Sequence, residues 1–497
     1  MPLEPQYPAK IAPEHHEILM RVFGDRFLGY DNGEQDGRYI GSYADRDPIT
    51  DRRSDWESFV KWDEGICNDS LNYMNATGSL NFSHYYAERG CRTLGLETAQ
   101  GLPSDTLMFA FLRGASKQYG RLTTQATSIW SRFGYNMYHD RRTDGANGYG
   151  LGPHKGCSLS LHQRLFLCSY LGGDSIVGSE TSQFTADSLE SGAPELSPLG
   201  RQHLAIREWV KQHPDRGVMY TPIAFMLDFH NGWNMPRHLY RGDRYKVWGK
   251  LPYEKGDYEI DNVFRMVWPG YEDCSYLRNE RGFICPTPYG DLFDVITNRC
   301  HTDILKQYTA IMLLGDVELT PEVVANLTAF VQAGGDLLLD ARHAQAFPES
   351  LTGRLGDSLL TLAQAGKGRI IVAAPDYWLT DKLTYAEPDL VNMEPPYLLV
   401  PGLADVLDRY FASFSPVRIE PAGLTVRVNC FESDPKRLLV GLLNNDLFAD
   451  WSGKLRLRDA EAASAEELWR GRKLPAAREI PLTIPAGHLA VLDVRLK

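Results

Sequence analysis

One stretch constrains the architecture more than any other. YTAIMLLGD (Tyr308–Asp316) is followed by TPEVVANLTAFVQAGG (Thr320–Gly335) and then by DLLLD (Asp336–Asp340). A short, uniformly apolar run bounded by turn residues predicts a strand buried on both faces. The next segment has a threonine cap, a proline in its first turn, apolar residues at helical spacing and a double-glycine stop. A second apolar run follows, so the three pieces make one βαβ unit, whose crossover requires the two strands to be parallel. GRIIVAA (Gly368–Ala374) supplies another strand, and VMYTPIAFMLD (Val218–Asp228) reads as a single buried strand opening the same block.

The flanking sequence has different periodicities. Residues 1 to about 215 alternate short apolar runs with amphipathic segments. The expected strands are Phe27–Tyr30, Leu71–Ala76, Thr93–Glu97, Leu122–Thr127 and Ser175–Glu180. Ser104–Tyr119 and Ser158–Leu171 have helical spacing, and the second runs into the Gly172-Gly173 stop. Such alternation implies a parallel sheet, open or closed into a barrel. From about Pro416 the pattern changes to period two in LTVRVNCF, RLLVGLLNN, GKLRLRD, PLTIPAG and HLAVLDVRL, which predicts an antiparallel sandwich. With 497 residues, the chain is too long for one core, and about three domains are expected.

Charge and cysteine usage narrow the function classes. A net charge of −12 argues against nucleic acid or an anionic membrane as partner, because both call for a basic patch. No run of about 18 apolar residues occurs, so no membrane span is expected. The eight cysteines are scattered without a Cys-x-x-Cys pair, which fits buried thiols rather than a disulfide framework or zinc site. Met1-Pro2-Leu3-Glu4-Pro5 has no basic region followed by an apolar stretch, so a cytoplasmic location is the expectation. There is no phosphate loop, HExxH or GxSxG elbow, and no cofactor or metal is expected.

The chemistry-bearing residues gather where strands should end. In FLGYDNGEQDGRYIG an apolar run meets Asp31, Asn32, Glu34, Gln35 and Asp36. Crowded carboxylates repel one another, which raises a carboxyl pKa and suits a general acid; the plainer reading is an Asn-Gly turn. Glu97 ends the run TLGLE and is followed by Thr98, Gln100 and Gly101, and Glu180 ends SIVGSE in the same way. A glutamate closing a buried strand is rarely unpaired, so a structural ion pair with Arg113 or Arg92 is the alternative to a catalytic role. Asn75 after the second strand, and Gln125, Trp130, Tyr135 and Asn136 around the fourth, offer the amides, hydroxyls and rings that bind a pyranose. The expected catalytic set is therefore Glu34, Glu97 and Glu180. The expected binding set is Asp31, Asn32, Gln35, Asp36, Asn75, Gln100, Gln125, Trp130, Tyr135 and Asn136.

RVFGDRFLGYDNGEQ resembles the fourth strand of glycoside hydrolase family 42, the clan A β-galactosidases, with Glu34 at the acid/base position although Gly33 separates it from Asn32. GGDSIVGSETSQF is similar to that family's eighth strand, and VMYTPIAFMLD with YTAIMLLGDVELTPEVVANLTAFVQAGGDLLLD to the opening and middle of its second domain. The resemblance implies a partial or complete (β/α)8-type barrel over residues 1–215, a flavodoxin-like trimerisation-type domain over 216–405 and a small β-sandwich over 406–497. It also implies a homo-oligomer, and an exo-acting glycosidase working on oligo- or polysaccharide. Two features depart from the family. Where it carries a nucleophile within Met-Glu-Gln, this chain has Thr124 before Gln125, so Glu97 or Glu180 would take that role. Only 26 residues precede Phe27, too few for three strand–helix units of about 30 residues each. A non-catalytic carbohydrate-binding or assembly protein with a degenerate barrel is the rival expectation.

Overall fold

The computed structural model of the protein describes residues 12–27, 29–31, 36, 39, 49–67, 74–78, 82–97, 105–127, 159–179, 196, 198–231, 251, 254–271, 286–354, 358–381, 397–446 and 449–497. Strands β1 (Tyr30–Asp31), β2 (Met74–Gly78), β3 (Thr93–Glu97), β4 (Leu122–Thr127) and β5 (Ile176–Ser179) form a five-stranded sheet in chain order, each neighbouring pair parallel. Helix α1 (Pro13–Phe23) precedes β1. Then α2 (Arg52–Cys67), α3 (Ser83–Glu88), α4 (Asp105–Tyr119) and α5 (Leu159–Gly172) fill the successive crossovers, and α6 (Pro198–Gln212) follows β5. Each crossover steps the same way, which is the winding of a barrel; a doubly wound sheet reverses its order. Among the described residues no strand joins β5 back to β1. The first strand also starts later than its apolar residues suggest. Phe27 closes a 3-10 turn over Gly24–Arg26, and Gly29 has a φ of 129°, which interrupts an extended run.

VMYTPIAFMLD is not one strand. Its first part, β6 (Val218–Met219), pairs antiparallel with a strand near the C-terminus, whereas β7 (Ile223–Leu227) enters a second parallel sheet. Pro222, which has no N–H to give a ladder, lies in the break. After helix α7 (Lys255–Val267) come β8 (Phe293–Thr297), β9 (Ala310–Leu313), helix α8 (Pro321–Ala333), β10 (Asp336–Leu339), β11 (Leu360–Ala365) and β12 (Gly368–Ala373). The spatial order is β11-β12-β10-β9-β7-β8, with β11 as an antiparallel edge. Counting only the parallel strands in chain order gives 2-1-3-4-5, the flavodoxin-like arrangement. The βαβ unit anticipated from the sequence is β9-α8-β10, capped by Thr320, whose side chain accepts the Val323 N–H.

Helix α9 (Pro401–Ala412) leads into β13 (Val417–Glu420), β14 (Leu424–Cys430), β15 (Arg437–Asn444), β16 (Trp451–Leu457), β17 (Ala462–Glu467), β18 (Arg472–Leu474), β19 (Glu479–Ile484) and β20 (Leu489–Leu496). They form a three-stranded sheet, β13-β16-β19, and a six-stranded one, β18-β17-β20-β15-β14-β6, joined by a shared core that includes Val426, Val440, Leu455, Ile480 and Leu492. One buried face explains the alternation in β16, β17 and β19, whereas β14 and β15 are buried on both faces, with Leu439 and Leu443 packed on Leu165 and Leu171 of α5.

Helix α4 joins the two parallel sheets. Leu94, Leu96, Phe109 and Phe111 from the first block share one apolar cluster with Phe225, Phe264 and Val295 from the second. Arg113 reaches Asp291 and Asp294 at 2.9 Å each and donates to the Phe293 carbonyl at 2.8 Å. Arg427 of the sandwich meets Asp291 from the other side at 3.1 Å. Asp294 also receives Lys117 and the Thr221 hydroxyl. Burial raises the Asp294 carboxyl, but Lys117 and Arg113 outweigh it and hold it below its usual range. Arg113, the alternative ion-pair partner considered for Glu97, is engaged here.

Candidate active site at the rim of the first sheet

Register decides which strand-end residues share a face. Thr93 pairs with Leu122, Gly95 with Thr124 and Glu97 with Ala126; Leu94 pairs with Thr123 and Leu96 with Gln125. Directly paired residues in a parallel ladder lie on the same side, and successive residues alternate. Leu94 and Leu96 are buried in the aromatic layer of the helices. Thr93, Glu97, Thr124 and Ala126 therefore occupy the opposite face, joined there by Ile176 and Gly178 of β5, which pair with Thr124 and Ala126. Glu97 closes β3, the central strand, and is 7% exposed. A carboxyl group this deeply buried at a strand end has little bulk water to solvate it, so nearby polar groups or a ligand must do so.

The expected binding residues divide. Asp31 is in register with Asn75, and Asn75 with Thr93, so these three positions continue the face that carries Glu97. Asp31 is nevertheless remote from Glu97. Two strand spacings across and four residues along give a Cα separation of roughly 16 Å, beyond the about 5–9.5 Å of a glycosidase carboxyl pair. Gln125 is on the other face, 1% exposed and level with Leu96. Asp36 is fully buried, and its backbone N–H donates to the Tyr86 hydroxyl of α3 at 2.9 Å. That places Asp36 in the helical layer. Burial, then Asp36 and Asp63, push the Tyr86 phenol well above its ordinary range. Thr124, at the position where the resembled family carries its nucleophile, is buried on the Glu97 face, one residue pair below it. Glu34, Glu180, Asn32, Gln35, Gln100, Trp130, Tyr135 and Asn136 lie outside the described residues.

Two polar clusters at the strand ends of the second sheet were not anticipated. In one, Asp228 after β7 accepts the backbone N–H groups of His230 and Glu318 and the Asn298 amide. Burial alone would raise its carboxyl group, but these bonds and the His230 side chain hold it below the usual range. In the other, Glu259 of α7 accepts the N–H groups of Gly315 at 2.7 Å and Trp378 at 2.8 Å. Arg342 lies 3.9 Å from Glu259 and ion-pairs with Asp316 at 2.6 Å and Asp340 at 2.8 Å. Burial, and then Asp340, push the Glu259 carboxyl up to about 8. The available sequence signal was an acidic residue at the end of the apolar runs FMLD, LLGD and LLLD; that β9 and β10 are direct neighbours, which draws Asp316 and Asp340 together, belongs to topology. Among the described residues, no group of three or more His, Cys, Asp and Glu side chains could hold a metal ion, and no helix is long and apolar enough to cross a membrane.

Neither a family model nor a curated protein matches this sequence. Among solved structures, the chain is similar to a catalytic mutant of a GH42 beta-galactosidase from G. stearothermophilus at 10% identity, covering 97% of this chain and 75% of that one with a TM-score of 0.49. An apo exo-carrageenase GH42 from Bacteroides ovatus matches at 12% identity over 93% of this chain with a TM-score of 0.48. The chain spans 56% of that enzyme's length. A beta-galactosidase from Rahnella sp. R3 matches at 13% identity, covering 98% of this chain and 82% of that one with a TM-score of 0.43.

Proposed function

We propose that this chain is a glycoside hydrolase acting at the end of an oligo- or polysaccharide, with its site at the carboxyl rim of the first sheet. The observation that carries the reading is Glu97: a carboxyl group 7% exposed, ending the central strand of a singly wound parallel sheet, on a face with Thr93 and Thr124. In folds wound this way, the strand ends and following loops are where catalysis is built. Glu34 would protonate the leaving glycosidic oxygen, and Glu97 would attack the anomeric carbon or deprotonate a water. Glu180 would bind the sugar or substitute for Glu97. Asp31, Asn32, Gln35, Asn75, Gln100, Trp130, Tyr135 and Asn136 are the proposed sugar contacts. Gln125 and Asp36, placed on the helical side, would support the rim from behind.

The test is hydrolysis of a panel of chromogenic glycosides and oligosaccharides by the intact chain. Glu34→Gln and Glu97→Gln should each abolish turnover while circular dichroism stays unchanged, and near-normal rates in both reject the assignment. Proton NMR of the first-formed anomer then reports the mechanism, since retention requires the carboxyl groups about 5 Å apart and inversion about 6.5–9.5 Å. A second reading, a carbohydrate-binding protein without hydrolysis, is favoured by Thr124 at the family's nucleophile position. It predicts calorimetric binding of a glycan that the chain leaves intact.

A further inference from the structure

After β5 the chain does not continue the first sheet with the strand that follows α6. That strand is β6, which pairs antiparallel with β14 of the sandwich, and β5 is hydrogen-bonded to β4 alone among the described strands. In a singly wound fold the next strand lies beneath the helix that precedes it. Here the space between α6, β5 and the end of α5 is a groove of about 860 Å³. Val177 of β5 is level with Gln125, and Gln125 with Leu96, so the groove is on the helical side of the sheet, behind the face that carries Glu97.

The walls specify a ligand chemistry. Phe166 and Tyr170 of α5, Val177 of β5, and Leu204, Ile206 and Val210 of α6 supply an apolar lining. Leu204 is 42% exposed, so an apolar ligand covering it is favoured. Charge along the groove is one-sided. Arg207 and Lys211, one turn apart on α6, share a single carboxylate, Glu208, at 3.2 and 2.9 Å, which leaves one positive charge at the rim. Their side chains are 66% and 58% exposed, so these ion pairs are weak and can be exchanged for an incoming anion. Arg216 closes the end of the groove by donating to the carbonyls of Tyr170, Gly173 and Asp174. Asp174 is the sole acid among the described lining residues, and burial raises its carboxyl group, favouring the neutral form. Burial likewise pushes the His203 imidazole down to about 4, which keeps it uncharged. On a chain of net charge −12, a cationic rim beside an apolar trough selects an anion with an apolar body.

We propose that this groove binds one monomeric fatty-acid-like anion, with its acyl chain along the inner side of α6 and its carboxylate at Arg207 and Lys211. The volume lies in the upper part of the about 300–1,000 Å³ found for small-molecule sites. Helix α6 has 15 residues and so gives a wall about 22 Å long, room for an extended chain. The inference does not depend on what the first sheet catalyses, because the groove and Glu97 are on opposite faces of that sheet.

Isothermal calorimetry on the intact chain tests this, with sodium dodecanoate, sodium octanoate and dodecyltrimethylammonium as probes, each below its micelle concentration. Dodecanoate should bind saturably, one molecule per chain. Each buried methylene strengthens binding about fourfold, so octanoate, four methylenes shorter, should bind roughly 200-fold more weakly. Leu204→Asp and the double variant Arg207→Glu, Lys211→Glu should each weaken dodecanoate about tenfold or more. All three residues are exposed, so these variants keep the fold, which circular dichroism checks. Arg53→Glu, a charge reversal at a 77% exposed side chain on α2, should leave binding unchanged. No saturable heat from dodecanoate, equal affinity for dodecyltrimethylammonium, or dodecanoate binding that neither groove variant alters would overturn the proposal. So would sedimentation showing a dimer that Leu204→Asp dissociates and dodecanoate does not, since the groove would then be an interface between copies.

Discussion

Replacing Gly114 by alanine should loosen the joint between the two parallel sheets, and the structure sets the size of the effect. A Cβ at this position would stand 2.5 Å from the Val295 carbonyl carbon and 3.1 Å from its nitrogen, and closer still to its oxygen. Non-bonded contacts to carbon become favourable only beyond about 3.2–3.5 Å, and the obstacle is the backbone of β8, its carbonyl oxygen nearest of all, so α4 must retreat by roughly 1.5 Å. Overpacking of this kind costs about 1–3 kcal/mol. The same retreat stretches the 2.9 Å bonds from Arg113 to Asp291 and Asp294, both fully buried, and breaking such a pair costs about 3–5 kcal/mol. A partial loss of the second added to the first gives about 3 kcal/mol of weakened local stability. Hydrogen exchange measured on peptides covering α4 and β8 is the suitable assay, because it reads local opening at the joint itself in a chain of 497 residues, beyond the size for which one two-state unfolding step is expected. Protection there should fall roughly 100-fold, the equivalent of about 3 kcal/mol. Gly65→Ala in α2 is the control: nothing lies within 4 Å of its added Cβ, and it should stabilise its helix by about 0.5–1 kcal/mol. Protection at β8 unchanged within a few-fold in Gly114→Ala would refute the claim that the helix backbone rests directly on the strand.

Two pH effects follow from buried groups. With its folded pKa raised to about 8, Glu259 keeps its proton in the folded state over a range where the unfolded chain releases it, so stability falls as pH rises from about 4.5 to about 8. Glu259→Gln should flatten that part of a urea-midpoint profile relative to the parent, and an unchanged slope would count against a protonated Glu259. Burial pushes the imidazoles of His84 and His162 down to about 3, so the unfolded chain takes up protons below about 6.5 that the fold refuses, and stability falls as pH drops through that range. His162→Leu should reduce this acid sensitivity by up to one proton's slope in the same titration, and an identical slope would show that His162 is protonated in the fold.

Local signals carried furthest where burial is uniform. TLGLE and the β9-α8-β10 unit were legible because two-sided burial demands continuous apolar runs, and helix ends need caps and glycine stops. The split of VMYTPIAFMLD was less visible, since an apolar run looks alike whether its residues join one sheet or two. Pro222 was the available signal, and the partner of Val218–Met219 lies over 200 residues away in β14. Gln125 looked like a binding residue because amides suit sugars, but the pairing that puts it level with Leu96 is a property of neighbouring strands.

The sequence by itself determined most of the helices and strands and the glutamate at the end of β3, because each depends on spacing within a few residues, but not the antiparallel pairing of β6 and β11. Only the tertiary structure decided the face on which each strand-end residue lies, the burial of Arg113 between two aspartates, and the meeting of Asp228 with Asn298 and Glu318. These arise from pairing between segments far apart in the chain, and a one-residue change of register would have turned every side chain of a strand to the other side.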